Sequence, residues 1–197
     1  MPDDRTMKSL NREQALQRLL DKQDIYETLC RYARGVDRGD WDLVRSTYHE
    51  DAFDSHGDYQ GDINGLIAWL EKLFHGVDNS MHFLGNCLIE FSSDHSALVE
   101  TYFISRRLRA PKGEELKFAQ AGDAISRDYW GRYVDLFERR EDEWRVAHRT
   151  VVPEAKSESL ALFGARVQPQ LWGRRDMNDR LYQVQTEVVN STFRSRP

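Results

Sequence analysis

Apolar residues in the first part of the chain recur at helical spacing and then give way to turn residues. From Asn11 they advance in roughly helical steps, through Leu16, Leu20, Ile25, Leu29, Ala33 and Val36. This spacing predicts a long amphipathic helix that ends at Gly39. Asp40 is placed to cap a short second helix over WDLVRSTY, and Asp62 is placed to cap a third helix.

The pattern changes to strands after Asp78. The runs SMHFLGNCLIEFS and SALVETYFISRRL are rich in β-branched and aromatic residues, and the SDH between them predicts a hairpin. A long aromatic run, FAQAGDAISRDYWGRYVDLFERR, predicts a further strand region with a break near residues 126–128. WRVAHRTVV predicts a strand that stops at Pro153, and residues 157–163 fit a short helix.

Helices followed by antiparallel strands predict an α+β fold. A curved, mostly antiparallel sheet covered by N-terminal helices forms a cone-shaped barrel, and an aromatic lining would make its interior a small-molecule pocket. We expect a flexible N-terminus over residues 1–11, one domain over 12–155 and a C-terminal extension over 156–197. The extension is expected to pack on the pocket or on a neighbouring subunit.

Composition and charge exclude several classes of protein. The chain has 197 residues, of which 40% are hydrophobic and 11% aromatic, as in a globular domain. A net charge of −5 gives no electrostatic footprint for nucleic acid. The charged N-terminus and the lack of a long apolar run predict neither a signal peptide nor a membrane partner. Cys30 and Cys87 fit neither a disulfide framework nor a metal site, so we expect a cytoplasmic protein.

Three residues raise chemical questions. Asp37 lies on a helix face that is otherwise apolar, so it either caps the helix end or pairs with a group elsewhere in the chain. His82 lies near the start of the first long strand and titrates near neutrality, so it is either a proton carrier or a core histidine bonded to the backbone. Arg149 shares strand parity with Val151 and fits either a surface salt bridge or a clamp for a substrate oxygen.

Three stretches resemble one known family. They are YARGVDRGDWDLVRSTYHEDA, MHFLGNCLIEF and GRYVDLFERREDEWRVAHRTVV, and they match the SnoaL-like branch of the nuclear-transport-factor-2-like superfamily over roughly residues 12–155. The resemblance implies a cystatin-like α+β roll. Among the enzymes of that superfamily, the chain looks most similar to scytalone dehydratase, hexachlorocyclohexane dehydrochlorinase and bile-acid dehydratase, which are cofactor-free lyases built on an Asp–His pair. The superfamily also contains binding proteins and catalytically silent subunits.

The same resemblance implies roles for particular residues. Asp37 matches the family aspartate and His82 the family histidine, so Asp37 would orient His82 as the acid/base. Arg149 matches the pocket arginine of the dehydrochlorinase, and Tyr32 matches a tyrosine of the bile-acid enzyme. Both would act on the leaving or retained oxygen. His56 stands where the bile-acid enzyme has a second tyrosine.

Aromatic residues complete the expected site. We expect substrate contacts from His56 and from Tyr48, Tyr102, Trp130 and Tyr133. The histidines show no HxH or HxxxH spacing, so no metal is expected. The resemblance implies that no cofactor is needed.

The sequence therefore favours a cofactor-independent lyase that acts on a hydrophobic, aromatic alcohol. It would remove water, or a small carbonyl fragment such as formaldehyde in a retro-aldol step, as family members that deformylate diarylpropanes do. A lignin-derived diaryl alcohol would suit, because a para-phenol can pass through a quinone methide. Three alternatives stay open: a hydroxysteroid dehydratase, a non-catalytic small subunit like the β subunit of ring-hydroxylating dioxygenases, and a module that binds a hydrophobic ligand.

The pattern of the strands also bears on whether the protein forms an oligomer. The outer face of a bent sheet with alternating apolar residues would be a large apolar patch on a monomer. We therefore expect a homo-oligomer, and the resemblance to the dehydratases favours a trimer over a dimer.

Overall fold

A computed structural model of the protein describes residues 10–161 and 172–194, with side chains up to residue 188 in the second range. Residues 1–9 of the expected flexible N-terminus lie outside the described residues. The helices are α1 (Arg12–Arg38), α2 (Trp41–Arg45), α3 (Ile63–Leu73) and α4 (Arg180–Arg194). The strands are β1 (Tyr48–His56), β2 (Tyr59–Asp62), β3 (Val77–Phe91), β4 (Ser96–Arg109), β5 (Ala124–Arg140) and β6 (Glu143–Ala161), and a short 3-10 helix spans Gly113–Lys117.

Local capping sets both ends of α1, as the sequence predicts. Asn11 accepts a hydrogen bond from the backbone N–H of Gln14 at 2.9 Å, and the Gln14 side chain accepts from the Asn11 N–H at 3.0 Å. Gly39 ends the helix in the left-handed conformation, with φ at 69°. Asp40 then caps α2 by accepting from the Leu43 N–H at 3.0 Å. This stop places Asp37 in the last turn of α1.

The six strands form one curved, open sheet in the order β2-β1-β6-β5-β4-β3. Every neighbouring pair is antiparallel except β1 and β6, which are parallel. The predicted α+β class and the curved, mostly antiparallel sheet are therefore confirmed. Core side chains that are at most 1% exposed include Ile25, Leu29, Tyr32, Leu66, Leu70, Val99, Tyr133, Phe137 and Val146.

Two predicted strand ends are wrong. β5 runs unbroken through residues 126–128, because this part pairs with β4 on one side and with the far end of β6 on the other. β6 passes Pro153 and continues to Ala161, so the predicted helix over 157–163 is a strand as far as Ala161, and its last two positions lie outside the described residues.

Pro153 is tolerated within β6 because of where it sits in the sheet. The pairing of β1 with β6 extends only as far as Thr150, and beyond that point no other strand among the described residues pairs with this edge of β6. A proline has no N–H to donate, and an edge position loses no ladder hydrogen bond. The pairing of β5 with β6 shifts between Trp130↔Ala155 and Gly131↔Pro153, so β6 carries one extra residue, Glu154, directly after the proline.

Candidate active site

A cavity of about 180 Å³ lies among the helices and the inner face of the sheet. Aromatic side chains form much of its wall: Tyr32, Trp69, Phe74, Phe103, Tyr129 and Tyr133. The polar side chains in the wall are His56, Asp58, His82, Ser105 and Arg107. An apolar wall with a few convergent polar groups is the usual form of a small-molecule site.

Asp37 and His82 form a hydrogen-bonded pair at this wall. Oδ1 of Asp37 lies 2.7 Å from Nδ1 of His82, and Oδ2 accepts the backbone N–H of His82, also at 2.7 Å. The Ser80 hydroxyl donates to Oδ1 at 2.7 Å. Each side chain of the pair is only 8% exposed. The structure thus brings together the two residues that the resemblance paired.

The surroundings of Asp37 keep its carboxylate ionised. Burial raises the pKa of Asp37, but the charge of His82 and the hydrogen bonds from His82 and Ser80 outweigh burial, so the pKa lies below its usual value. An ionised carboxylate only accepts hydrogen bonds, so it holds the His82 proton on Nδ1. In the neutral form of the ring, the lone pair is then on Nε2, as a general base requires.

The backbone of the sheet places His82 beside other groups of the cavity. His82 on β3 pairs with Ser105 on β4, and Ser105 pairs with Tyr129 on β5. Directly opposed residues on neighbouring strands point to the same face. His82, Ser105 and Tyr129 therefore form one row on the inner face, and all three line the cavity.

His56, at the end of β1, faces the same cavity and lies beside a buried carboxylate. Its Nδ1 is 3.6 Å from Oδ1 of Asp54, just beyond hydrogen-bond length. Both atoms are buried, and neither has a hydrogen-bond partner among the described residues. The other oxygen of Asp54 accepts from the Tyr48 hydroxyl at 2.7 Å. The cavity thus has a second histidine–aspartate arrangement, looser than the first.

Arg149 lies behind the cavity wall, which corrects the expectation that it clamps a substrate oxygen. Its fully buried guanidinium donates to both oxygens of Asp135, at 2.8 and 2.6 Å. It also stacks on the rings of Tyr32 and Tyr133, at 4.3 and 4.1 Å from their centroids. Burial lowers the pKa of Arg149, but the attraction of Asp135 and of nearby tyrosines, Tyr48 first among them, raises it well above the ordinary value. Arg149 is therefore an internal support for the wall.

Tyr32 on α1 and Tyr133 on β5 both line the cavity. Their rings meet edge to face at 5.7 Å, and Tyr133 stacks on Phe103 at 4.1 Å. Burial raises the pKa of both hydroxyl groups. Both tyrosines are therefore neutral at physiological pH and are able to donate hydrogen bonds.

Three other expected substrate contacts lie away from the cavity. Tyr48 is fully buried behind the wall, Tyr102 is 44% exposed, and Trp130 does not reach the cavity. Side chains alternate between the two faces of a strand. The inner positions beside Tyr102 and Trp130 therefore belong to Phe103 and Tyr129, which do line the cavity.

Sequence reasoning missed several residues of the site. Arg107 and Ser105 lie on the inner face of β4, where odd-numbered residues over 99–107 point inward. A charged residue such as Arg107 among the inward-pointing, odd-numbered positions of this strand is a sequence signal for a functional site. Asp54 precedes His56 by two positions in a strand, so the two share a face, and that spacing was a signal as well.

The C-terminal segment packs beside this site. Nη1 of Arg175 donates to the carbonyl of Val36 at 2.5 Å, and its guanidinium lies 4.1 Å from the ring centroid of Phe74. These contacts place Arg175 against the last turn of α1, where Asp37 lies, and against one wall of the cavity.

The described residues contain neither a metal-binding cluster nor a membrane-spanning helix. Within residues 10–161 and 172–194, no group of three or more His, Cys, Asp or Glu side chains is arranged to hold a metal ion. None of the helices in the described part of the chain has the length and apolar character that crossing a membrane requires.

Several solved structures share the fold. A candidate scytalone dehydratase from Novosphingobium aromaticivorans matches with a TM-score of 0.62 and 14% identity, over 77% of this chain and 93% of that one. Hexachlorocyclohexane dehydrochlorinase type 3 from Novosphingobium barchaimii matches with a TM-score of 0.61 and 17% identity, over 78% of this chain and 98% of that one. At these identities the likeness shows the fold alone.

The sequence itself points to one family. No curated protein shows a significant sequence match to the chain. The profile of the SnoaL-like domain, however, matches residues 17–150. This match covers more than half of the sequence and includes Asp37 and His82. The chain therefore belongs to the SnoaL-like family.

Proposed function

We propose that the protein is a cofactor-independent lyase in which His82 is the acid/base and Asp37 orients it. The observation that supports this proposal is the Asp37–His82 pair, joined at 2.7 Å in the wall of an aromatic cavity. Two proteins of similar structure are named as a dehydratase and a dehydrochlorinase, which are lyase-type activities.

Dehydration would use both histidines of the cavity. Nε2 of His82 takes a proton from the carbon next to the one that bears the hydroxyl group, and the C–H electron pair becomes the new C=C bond. The C–O electron pair leaves with the hydroxyl group, which is protonated and departs as water. His56 is the second proton-carrying group in the wall and is our candidate for this acid.

Retro-aldol cleavage would use the same groups. His82 takes the proton of a substrate hydroxyl, a carbonyl forms on that carbon, and the neighbouring C–C bond breaks. A small carbonyl fragment such as formaldehyde leaves. Loss of water from a para-phenol first supplies a quinone methide. The electron pair of the broken bond then passes into it as a new C=C bond, and the resulting phenolate takes the proton from His82.

The volume of the cavity limits the size of the substrate that fits inside it. A cavity of roughly 150 Å³ holds a benzene molecule, so about 180 Å³ accommodates one aromatic ring with short substituents. The second ring of a lignin-derived diaryl alcohol would lie in the adjoining cleft, which shares Leu73 and Arg107 with the cavity. A hydroxysteroid, with four fused rings, fits this space less well.

Mass spectrometry of the purified protein, without added cofactor, tests the proposal against a panel of phenolic diols and hydroxysteroids. Conversion of a phenolic diol with loss of water or formaldehyde supports a lyase. Conversion that depends on an added cofactor contradicts it.

A variant separates the lyase from the two other classes. Asp37→Asn is expected to bind the converted compound with little change and to lose most turnover. Binding without turnover by the wild-type protein would instead indicate a ligand-binding module. A non-catalytic subunit requires a large partner, so purification as a stable homo-oligomer counts against that alternative.

A further inference from the structure

Arg107 brings into the cavity wall a positive charge that no carboxylate of the described residues pairs with. It is half-buried on the inner face of β4, and it lines both the cavity and the adjoining cleft of about 440 Å³. Its guanidinium stacks on the Phe74 ring at 5.3 Å from the centroid. Of the residues that the structure describes, none forms an ion pair with it. Burial, together with repulsion from Arg127, lowers the pKa of Arg107.

Arg175 brings a second guanidinium to the same Phe74 ring, at 4.1 Å. Burial, together with the charges of Arg38 and Arg107, lowers the pKa of Arg175 to about 10, against the attraction of Asp37. Both oxygens of Asp37 are already engaged by His82 and Ser80. Two half-buried guanidiniums therefore lie against one ring of the cavity wall, and neither forms an ion pair with a carboxylate among the described residues. Such an arrangement is costly unless an anion joins it.

The register of the sheet relates Arg107 to the proposed acid/base. Ser80 pairs with Arg107 across β3 and β4, and His82 pairs with Ser105 one row further along. Arg107 is thus the diagonal neighbour of His82, and such positions lie roughly 7–8 Å apart. A substrate with one aromatic ring, held at one end by the extended Arg107 side chain, is able to reach His82 with its other end.

We infer that Arg107, with Arg175 beside it, binds a carboxylate group of an aromatic substrate. A guanidinium matches the two oxygens of a carboxylate in a bidentate geometry. The substrate ring then lies against the aromatic wall, between the carboxylate and His82. The substrate class thereby narrows from neutral aromatic alcohols to aromatic hydroxy acids. The placement of the reacting carbon rests on the proposed function, but the binding of the acid does not depend on turnover.

Isothermal titration calorimetry at neutral pH with 3-phenylpropionate and its neutral amide, 3-phenylpropanamide, tests this inference. The wild-type protein is expected to bind the acid roughly 10–100-fold more tightly than the amide, the usual worth of charge-assisted hydrogen bonds. Arg107→Met is expected to abolish that preference. Arg34→Met is the matched control, because it removes the same charge from an exposed position on α1 and is expected to keep the preference.

Other results of these experiments would overturn either the carboxylate-binding inference or the lyase proposal, and the two failures are distinguishable. Equal affinity for acid and amide in the wild-type protein, no detectable binding of the acid, or a preference that survives Arg107→Met would overturn the inference. The wild-type comparison holds even if Arg107→Met does not fold. His82→Ala is expected to keep the preference for the acid, so a failure of the lyase proposal leaves this result in place. Turnover restricted to neutral alcohols would overturn the inference and leave the lyase proposal standing.

Discussion

Nδ1 of His82 lies 2.7 Å from Oδ1 of Asp37, although 45 positions separate the two residues in the sequence. The backbone N–H of His82 binds the other oxygen of the same carboxylate. The Asp37 carboxylate therefore fixes both the backbone position of His82 and the orientation of its imidazole ring. This double contact leaves Nε2 free of the aspartate, as an acid/base facing the cavity requires.

The lowered pKa of Asp37 predicts how its contribution to stability changes with pH. A carboxyl group whose pKa is lower in the folded protein than its ordinary value of 3.8 stabilises the fold above that value. The contribution is lost as pH falls through the lower, folded pKa. Asp37→Asn is therefore expected to reduce the free energy of unfolding by about 1–3 kcal/mol near neutral pH, and by less in acid.

Urea unfolding of wild-type and Asp37→Asn protein at about pH 6 and about pH 3 measures this effect. Asp40→Asn is the matched control, because asparagine also caps a helix, and it is expected to change stability little at either pH. A loss from Asp37→Asn that is the same at both values would show that its carboxylate charge does not stabilise the fold.

His56 is expected to contribute to turnover. His56→Ala removes the candidate acid of the cavity and is expected to lower kcat by roughly 10²-fold, the lower range for general acid catalysis. KM is expected to change little. Steady-state kinetics separate the two quantities, and a variant with raised KM and unchanged kcat would make His56 a binding residue only.

Arg149 is expected to matter for stability. Arg149→Met leaves the buried carboxylate of Asp135 without its partner, and such a loss costs about 3–5 kcal/mol. Adding Asp135→Asn removes that buried charge and is expected to restore part of the stability. Urea unfolding of the single and double variants measures both effects. If Arg149→Met is as stable as the wild-type protein, the Arg149–Asp135 pair contributes nothing to the free energy of unfolding.

The outer face of the sheet supports the proposal of a homo-oligomer, with a trimer favoured. Large apolar side chains exposed on the sheet include Met81, Phe83, Leu88, Leu98, Tyr102 and Ile104. Light scattering coupled to gel filtration is expected to show a trimer, and Leu98→Glu is expected to weaken it by placing a charge in the interface. A wild-type monomer at micromolar concentration would refute the proposal.

Local signals were enough to predict the first three helices and the class of fold, whereas α4 was not predicted. Gly39 and Asp40 end one helix and begin the next through contacts within a few residues, so the sequence shows them directly. The end of β6 depends on a partner far along the chain. Pro153 stops a strand only where its N–H is needed, and β1 no longer pairs with β6 at that point.

The role of Arg149 could not be predicted for a similar reason. Its position on the inner face was visible from strand parity, but its partner was not. Asp135 lies directly opposite in the register of β5 and β6, so the guanidinium binds this carboxylate and not the cavity. Sequence spacing shows which face a residue occupies, whereas the register decides what it meets there.

Turnover by His82→Ala, measured beside the wild-type protein without cofactor, tests the central claim most directly. Once the mass-spectrometric panel identifies a converted compound, His82→Ala is expected to lower its rate by roughly 10²–10⁴-fold. His148→Ala, at an exposed histidine, is expected to match the wild-type rate. A His82→Ala rate within about tenfold of the wild-type rate, with the variant folded, would contradict the account, because the Asp37–His82 pair would then be structural.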